Sequence, residues 1–445
     1  MVYLWLFIFL IFEIKGVIIE KASRTIYLKS SYVQSEISIT YKNDGDNSLD
    51  SVDHYILTNY SQLLLDIIPV GPNGANLKFS KVEKTNIKIF LPSPLLPKNT
   101  INIKILELYR DRFNPNPKYI KMDGRQSLVY NENRFIITPY RKLVEETQFI
   151  IPNSDSLIYA TPSFSLHEEK VNYGPFRDID PMENDPIIVH IYHSKPLLIF
   201  ESVEREIEIS HYGNIFIKEN YHLKNKAAQL DGEYDRNDYA KVLYSDSVGT
   251  HIVKSIKTQL PRSTFDLYYR DEVGNISTSN AAKEANLVYF EISPRYPLLG
   301  GWQTKWEQGY YLPNAAFMKR STEENSLTLL NQSFGYSFKE IPAIDYTLRV
   351  ILPPGAKNVR AEIPFEVDEH FMDKRYSYLD LEGRLVLVLK KANMHNFYSR
   401  AFYVSYNLAD SLFNSKALIL IGIFLGFLLM VIISARLNIS FDKTR

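Results

Sequence analysis

The sequence contains no cysteine among its 445 residues. This absence excludes a disulfide framework, zinc sites that use cysteine ligands, and a cysteine nucleophile. Disulfides are needed chiefly by small secreted domains, whereas a chain of this length can bury large apolar cores without them. The lack of cysteine therefore indicates large domains and does not exclude the secretory pathway.

The sequence also lacks an excess of charge of either sign. It holds 51 basic and 51 acidic residues. A nucleic-acid-binding domain of this size would be expected to carry a basic excess. We therefore expect no nucleic-acid partner.

Motifs for catalysis, cofactors or metals are scarce. No Gly-x-Ser-x-Gly elbow or phosphate-binding loop is present. His190 and His193 lie three residues apart on a predicted strand, where their side chains would face opposite sides. His167 is followed by two glutamates without the second histidine of a zinc peptidase helix. We expect no catalytic, cofactor-binding or metal-binding residue.

One acidic pair, Asp178 and Asp180, offers an enzymatic alternative. Its spacing matches the short pattern by which many glycosyltransferases hold a metal and a nucleotide sugar. No βαβ nucleotide-binding context surrounds it, and such pairs are common in loops. A solvated turn is the favoured interpretation, and a transferase that uses both aspartates is the alternative.

Two apolar runs predict how the chain meets the membrane. Residues 4–12 are too short to span a bilayer but suit the apolar region of a signal peptide, predicted at residues 1–16. Residues 417–435 carry no charge and would form a helix of about 28 Å. We predict a transmembrane helix at 413–436, a basic cytosolic tail at 437–445, and a lumenal N-terminal region.

The apolar helix contains a possible packing motif. Gly422 and Gly426 are four residues apart, which places both on one face of a helix. Glycines at this spacing allow a second helix to approach closely, although the spacing can also arise by chance. We predict helix packing at these two residues.

Period-two alternation of apolar and polar residues dominates the rest of the chain, as in 35–41 and 205–210. The 31 tyrosines and 25 phenylalanines favour the same β structure. We predict a mainly β chain with two β-sandwich-like domains, at 17–190 and 191–412. The runs that begin at Arg24 and Arg205 are similar, which fits either a duplication or two unrelated hairpins.

Three Asn-x-Ser triplets precede the apolar helix. Their asparagines, Asn275, Asn59 and Asn331, are candidate glycosylation sites if this region is lumenal. Each candidate requires an exposed acceptor.

Several segments, taken together, resemble the ribophorin I family. They are Tyr173–Asp178, His211–Ile215, Asp266–Thr278, Arg295–Trp302, Gly309–Pro313, Ile351–Asn358 and Tyr378–Arg384. The segment Asp266–Thr278 is the most specific, because it is long and unusual in composition. Order and approximate spacing agree from Arg24 to the apolar helix.

The resemblance implies a single-pass protein of the endoplasmic reticulum membrane with two lumenal β domains. It implies a non-catalytic subunit of the oligosaccharyltransferase, the complex that transfers an oligosaccharide from dolichyl diphosphate to Asn-x-Ser/Thr. The implied partners are the other subunits, including a multispanning catalytic one, and nascent polypeptide. Asn275 matches a glycosylation position of the family. The competing interpretation is a type I surface receptor or adhesin with a β-sandwich ectodomain.

Overall fold

A computed structural model describes residues 16–28, 31–210, 213–245, 248–321, 326–376, 383–408 and 415–436. The predicted signal peptide, apart from Gly16, and the predicted tail at 437–445 lie outside the described residues.

The strands up to residue 192 are separated by short turns and two 3-10 helices, Thr58–Tyr60 and Ser154–Ser156. These strands are β1 (Val17–Tyr27), β2 (Val33–Asn43), β3 (Leu49–Tyr55), β4 (Leu64–Val70), β5 (Phe79–Lys81), β6 (Asn86–Leu95), β7 (Thr100–Tyr109), β8 (Phe113–Pro115), β9 (Tyr119–Ile120), β10 (Ser127–Asn133), β11 (Arg141–Ile150), β12 (Leu157–Thr161), β13 (Ser165–His167), β14 (Lys170–Ile179) and β15 (Pro186–Tyr192).

Two short helices, α1 (Arg236–Leu243) and α2 (Asn314–Phe317), lie between the later strands of the chain. The helix α3 (Ser415–Arg436) follows the last strand. These strands are β16 (Leu198–Ile209), β17 (Asn214–Asn225), β18 (Gln229–Leu230), β19 (Ile256–Pro261), β20 (Phe265–Asp271), β21 (Asn280–Lys283), β22 (Leu287–Ile292), β23 (Gln303–Pro313), β24 (Met318–Ser321), β25 (Ser326–Ser333), β26 (Ala343–Ile351), β27 (Ala356–Glu362), β28 (Glu369–Arg375), β29 (Arg384–Met394) and β30 (Ala401–Leu408).

The chain divides into two compact units. Unit 1 comprises Met1–Ile199, Lys224–Lys254 and Tyr296–Gln303, and unit 2 comprises Phe200–Leu223, Ser255–Arg295 and Thr304–Arg445. Each unit is thus built from separate segments of chain. The domain bounds predicted at 17–190 and 191–412 remain a prediction.

Unit 1 contains three sheets of three or more strands. In the order of neighbouring strands they are β4-β7-β2-β1-β11-β14-β13, β8-β10-β15-β12 and β3-β6-β5. The central pair β1 and β11 is parallel, whereas β1 and β2 are antiparallel. A small parallel pair, β9 and β18, joins the later segment Lys224–Lys254 to this unit.

Unit 2 repeats this arrangement. Its sheets are β20-β23-β17-β16-β26-β29-β28, β24-β25-β30-β27 and β19-β22-β21, and its central pair β16 and β26 is again parallel. Each strand of these three sheets has a counterpart in unit 1, in the same sheet position and the same chain order. The two units therefore share one topology.

Alternating residues build the cores. In β2, buried residues alternate with partly exposed ones along the whole strand, so its apolar side chains cover one face. The core of unit 1 is rich in Ile and Val, among them Ile19, Ile39 and Ile105, with aromatic rings such as Phe149 between them. β-Branched and aromatic side chains fit a pleated, half-buried surface, which explains why these segments form strands.

The helix α3 differs from the other elements in the described parts of the chain. Its segment Leu418–Arg436 is long and apolar enough to cross a membrane, and none of it is buried. The predicted mainly β fold followed by one apolar helix is confirmed.

Candidate functional site

Asn59 and Asn275, both candidate glycosylation acceptors, are exposed. Asn59 lies in the 3-10 helix Thr58–Tyr60, and Asn275 follows β20 in a tight turn. Asn331 lies within β25. Sugar occupancy at all three positions remains a prediction.

The turn that carries Asn275 is held by one carboxylate. Oδ1 of Asp271 accepts hydrogen bonds from the backbone N–H groups of Val273 and Gly274, both at 2.9 Å. Arg295 donates two hydrogen bonds to the same carboxylate, at 2.7 and 3.0 Å. These bonds, led by the guanidinium, lower the pKa of Asp271 to about 2. The chain thereby presents Asn275 on a fixed turn.

The acidic pair considered as an enzymatic alternative sits on the surface. Asp178 forms an exposed ion pair with Arg141 at 3.2 Å, and Asp180 is exposed. No group of three or more His, Asp or Glu side chains in the described parts of the chain could hold a metal ion. The pair therefore belongs to no such group within the described residues.

The two histidines of the predicted strand contact different groups. The His190 ring packs edge-on against Tyr159, and its Nε2 lies 3.3 Å from the carbonyl oxygen of Asn116. His193 is buried, and its Nδ1 lies 3.1 Å from the carbonyl oxygen of Lys195. Burial lowers the pKa of His193. Both histidines are explained by packing.

A groove of about 450 Å³ lies in unit 2, where four neighbouring strands of its seven-stranded sheet meet. Polar and charged side chains line much of it. They are Ser202, Glu204, Asn220, His222, Arg270, Asp271, Glu272, Lys305 and Glu307. The sequence did not predict this groove. The segment Asp266–Thr278 contributes Arg270 to it, but the resemblance implied no groove there. Alternating charged residues on β16 and β23 were a weak signal, because such residues also cover ordinary sheet surfaces.

Glu307 is held by three partners in this groove. Lys218 and Arg270 lie 2.7 and 2.6 Å from its carboxylate, and the Tyr268 hydroxyl donates a hydrogen bond to it at 2.8 Å. Burial alone would raise the pKa of Glu307, but these partners outweigh burial and lower it. The carboxylate is therefore fixed as a charged, paired group, unlike a general acid or base that must exchange protons near neutral pH.

Each unit also contains a buried arginine on its first strand. Arg24 on β1 donates to the carbonyl oxygen of Asn133, the last residue of β10. Arg205 on β16 donates to the carbonyl oxygen of Ser333, the last residue of β25, at 3.1 Å. Since β10 and β25 are counterparts, the two arginines link the same pair of sheets in each unit.

Buried acids balance these arginines. Glu132 lies 3.8 Å from Arg24 and 3.0 Å from Arg112, and Glu219 lies 3.4 Å from Arg205. Such networks are costly to break because one charge is left buried without a partner. We assign them a structural role.

The glycines of α3 have open space around them. A Cβ atom added at Gly422 or at Gly426 would meet nothing within 4 Å among the described residues. The predicted packing face is thus accessible in the isolated chain, and its use remains a prediction.

Comparison with known proteins identifies the family. The sequence profile of ribophorin I matches residues 17–435. Subunit 1 of the dolichyl-diphosphooligosaccharide–protein glycosyltransferase of Caenorhabditis elegans is 31% identical, over 94% of this chain and 72% of its own length. Subunit 1B of Oryza sativa subsp. japonica is 30% identical, over 85% of this chain and 77% of its own length. Subunit 1B of Arabidopsis thaliana is 32% identical, over 79% of this chain and 75% of its own length. The resemblance found in the sequence is confirmed, and the chain belongs to the ribophorin I family.

Proposed function

We propose that this protein is an accessory, non-catalytic subunit of the oligosaccharyltransferase complex, which transfers an oligosaccharide from dolichyl diphosphate to Asn-x-Ser/Thr. The observation that carries the proposal is the family match, which extends from the first described strand through the apolar helix. The relatives are named as subunit 1 of this glycosyltransferase.

The arrangement of the chain supports the proposal. Two large β units precede one apolar helix, so most of the protein stands outside the bilayer on one side. We place this part in the lumen of the endoplasmic reticulum and the residues after α3 in the cytosol. In this position the two units brace the neighbouring subunits, including the catalytic multispanning one, and lie close to nascent polypeptide.

Purification from mild detergent through a tag on this chain tests the proposal. We expect the catalytic subunit to co-purify and the preparation to glycosylate a peptide that contains Asn-x-Ser/Thr. A preparation that holds this chain alone would contradict the proposal.

The non-catalytic assignment needs its own test. Asp178→Asn together with Asp180→Asn should leave peptide glycosylation by the intact complex unchanged, because Asp178 forms an exposed ion pair with Arg141 and Asp180 is exposed. Arg141→Gln is the matched control for loss of that ion pair. Activity that falls in the aspartate variant but not in the control would reveal an active site in this chain.

A further inference from the structure

The edges of the sheets differ in how they are protected. An edge strand exposes backbone N–H and C=O groups that can pair with a strand of another chain. Folded proteins block such pairing with charged residues or proline in the edge strand, and also with bulges or very short edge strands. In the described chain, the six sheets of three or more strands have two edge strands each.

All but two of these edge strands contain proline or a charged residue. In unit 1 these residues are Asp50 and Asp53 in β3, Asp66 and Pro69 in β4, Lys81 in β5, and Pro115 in β8. In unit 2 they include Lys257 in β19, Arg270 in β20, Lys283 in β21, Lys319 in β24, Lys357 in β27 and Lys374 in β28.

The two exceptions are β12 and β13, which follow each other in the chain. Their sequences, Leu157–Thr161 and Ser165–His167, contain no Pro, Lys, Arg, Asp or Glu. Each is the edge strand of a different sheet. We call these two strands, 157–161 and 165–167, the open edge.

Large apolar side chains are exposed on the open edge and between its two strands. Ile158, Tyr159, Phe164 and Leu166 are 38%, 44%, 37% and 40% exposed. Large apolar side chains exposed close together are a feature of interaction surfaces, and these four lie within one short stretch of the chain. The open edge thus combines edge-strand backbone groups that can pair with another strand and exposed apolar side chains.

The counterpart in unit 2 provides an internal comparison. Strands β27 and β28 occupy the positions of β12 and β13 in the shared topology. Phe371 and Met372 of β28 are also exposed, yet Glu369 on the same strand forms an ion pair with Lys390 at 2.7 Å. The topology therefore tolerates charged residues at these edges, and unit 1 has none in the strands of its open edge.

We propose that the open edge is a strand-addition site, which binds an extended segment of a different subunit of the complex. This inference rests on the proposed function, since that function supplies the partner subunits. The partner segment is uncharged, with apolar side chains at alternate positions, because these can pack on the exposed apolar side chains of the open edge and no Asp, Glu, Lys or Arg in its two strands could pair with a charge. Backbone hydrogen bonds supply affinity, and the exposed apolar side chains supply specificity.

The pairing of β12 limits where the added strand can run. A β-bulge interrupts the register with β15 between Leu157 and Tyr159, and regular pairing continues from Tyr159 to Thr161. A bulge bends an edge locally, so the regular portion is the best surface for a new strand. We therefore place the partner beside Tyr159–Thr161, with Ile158 and Leu166 flanking it.

Site-specific photo-crosslinking in the purified complex tests this site. A photoreactive amino acid is placed at position 158 or 166 of the full chain, and at position 371 or 372 as matched controls on the charged edge. We expect positions 158 and 166 to crosslink to one segment of another subunit, at least about tenfold more efficiently than the controls.

Charge insertion provides a second measurement. Ile158→Lys with Leu166→Lys should reduce recovery of the crosslinked subunit at least about tenfold, because a lysine buried beside the added strand lacks a partner. Phe371→Lys with Met372→Lys, and the conservative Ile158→Val with Leu166→Met, should leave recovery unchanged. Unchanged resistance to protease in each variant shows that unit 1 is folded.

Several outcomes would overturn the inference. These are crosslinks to a second copy of this chain, crosslinks to lipid alone, or equal crosslinking at the control positions. Failure of the proposed function is distinguishable, because the unmodified chain would then purify without any glycosyltransferase subunit. A chain that purifies with the complex and shows no crosslink at the open edge refutes only the strand-addition site.

Discussion

At the scale of single residues, the buried charges of unit 2 combine an arginine with several hydrogen-bonded partners. Glu219 is fully buried and accepts hydrogen bonds from Tyr221 at 2.8 Å and from Gln308 at 2.9 Å, beside Arg205. The buried carboxylate of Glu219 needs the positive charge of Arg205 as its partner. In the sequence, Arg205 was recognisable only as the start of an alternating run. Alternation predicts that a residue is buried, but it does not predict which acid will lie beside it.

Removal of this arginine should destabilise unit 2 strongly. We expect Arg205→Leu to cost about 3–5 kcal/mol, because Glu219 is left as an unpaired buried charge. Thermal unfolding of the detergent-solubilised chain should show a transition lowered by about 10 °C.

The matched control for Arg205→Leu is Arg349→Leu. Arg349 lies 3.6 Å from Glu206 at the surface, and its loss should cost no more than about 1 kcal/mol. Combining Arg205→Leu with Glu219→Leu should recover part of the lost stability, since no unpaired charge remains. Equal effects of the two arginine variants would contradict the structural role of Arg205.

The turn around Asn275 provides a pH-dependent prediction. The pKa of Asp271 is lowered from its ordinary 3.8 to about 2, first by Arg295. A lowered pKa means that the carboxylate contributes its full stabilisation above the ordinary value and loses it as the pH falls towards 2. Protection of the 271–275 amides from hydrogen exchange should therefore be the same at pH 7 and pH 5, after correction for intrinsic rates.

Asp271→Ala should abolish this protection at both pH values, whereas Glu272→Ala, at the exposed neighbouring position, should preserve it. Protection that falls in the unmodified chain between pH 7 and pH 5 would show that another group holds the turn.

At the scale of elements, the sequence predicted strands and the apolar helix because each has a local signal. The alternation in 35–41 is present in β2, and the run 417–435 lies within α3. Strand pairing has no local signal. The parallel pair of β1 with β11 joins residues more than one hundred positions apart, through contacts such as Ile26 with Phe149. The groove of unit 2 depends on this kind of distant pairing, so the sequence did not reveal it.

The helix α3 should associate with a second helix through its two glycines. Gly422→Ile with Gly426→Ile should weaken association by about tenfold, because two helices can approach closely only where glycine places no side chain between them. Co-purification of the other subunits in mild detergent measures this effect. Leu425→Ile is a volume-conserving control on the same helix, and membrane insertion should remain intact in both variants. Unchanged co-purification would leave α3 as an anchor only.

At the scale of the whole molecule, the duplicated topology was only partly predictable. The similar runs at Arg24 and Arg205 are the first strands of the two units, β1 and β16. The count of two therefore had a basis in the sequence. No pattern in the sequence indicates that unit 1 also includes Lys224–Lys254 and Tyr296–Gln303. Their place in unit 1 depends on contacts such as those of Met122 with Val242 and Leu299. Apolar residues indicate burial without indicating which core they join.

The placement of the whole chain across the membrane leads to the last prediction. In sealed microsomes, protease should remove only the residues after α3, because the two units lie in the lumen, and detergent should expose both units to cleavage. Asn275→Gln should increase electrophoretic mobility by the amount that corresponds to the loss of one glycan. The remaining glycans should stay sensitive to endoglycosidase H, as expected for a resident of the endoplasmic reticulum. A surface receptor or adhesin would instead carry resistant, processed glycans and reach the plasma membrane. Asn286→Gln is the matched control for the asparagine substitution, since Asn286 is exposed and lies outside any Asn-x-Ser/Thr triplet. Cleavage of the units in sealed microsomes would reverse the proposed orientation.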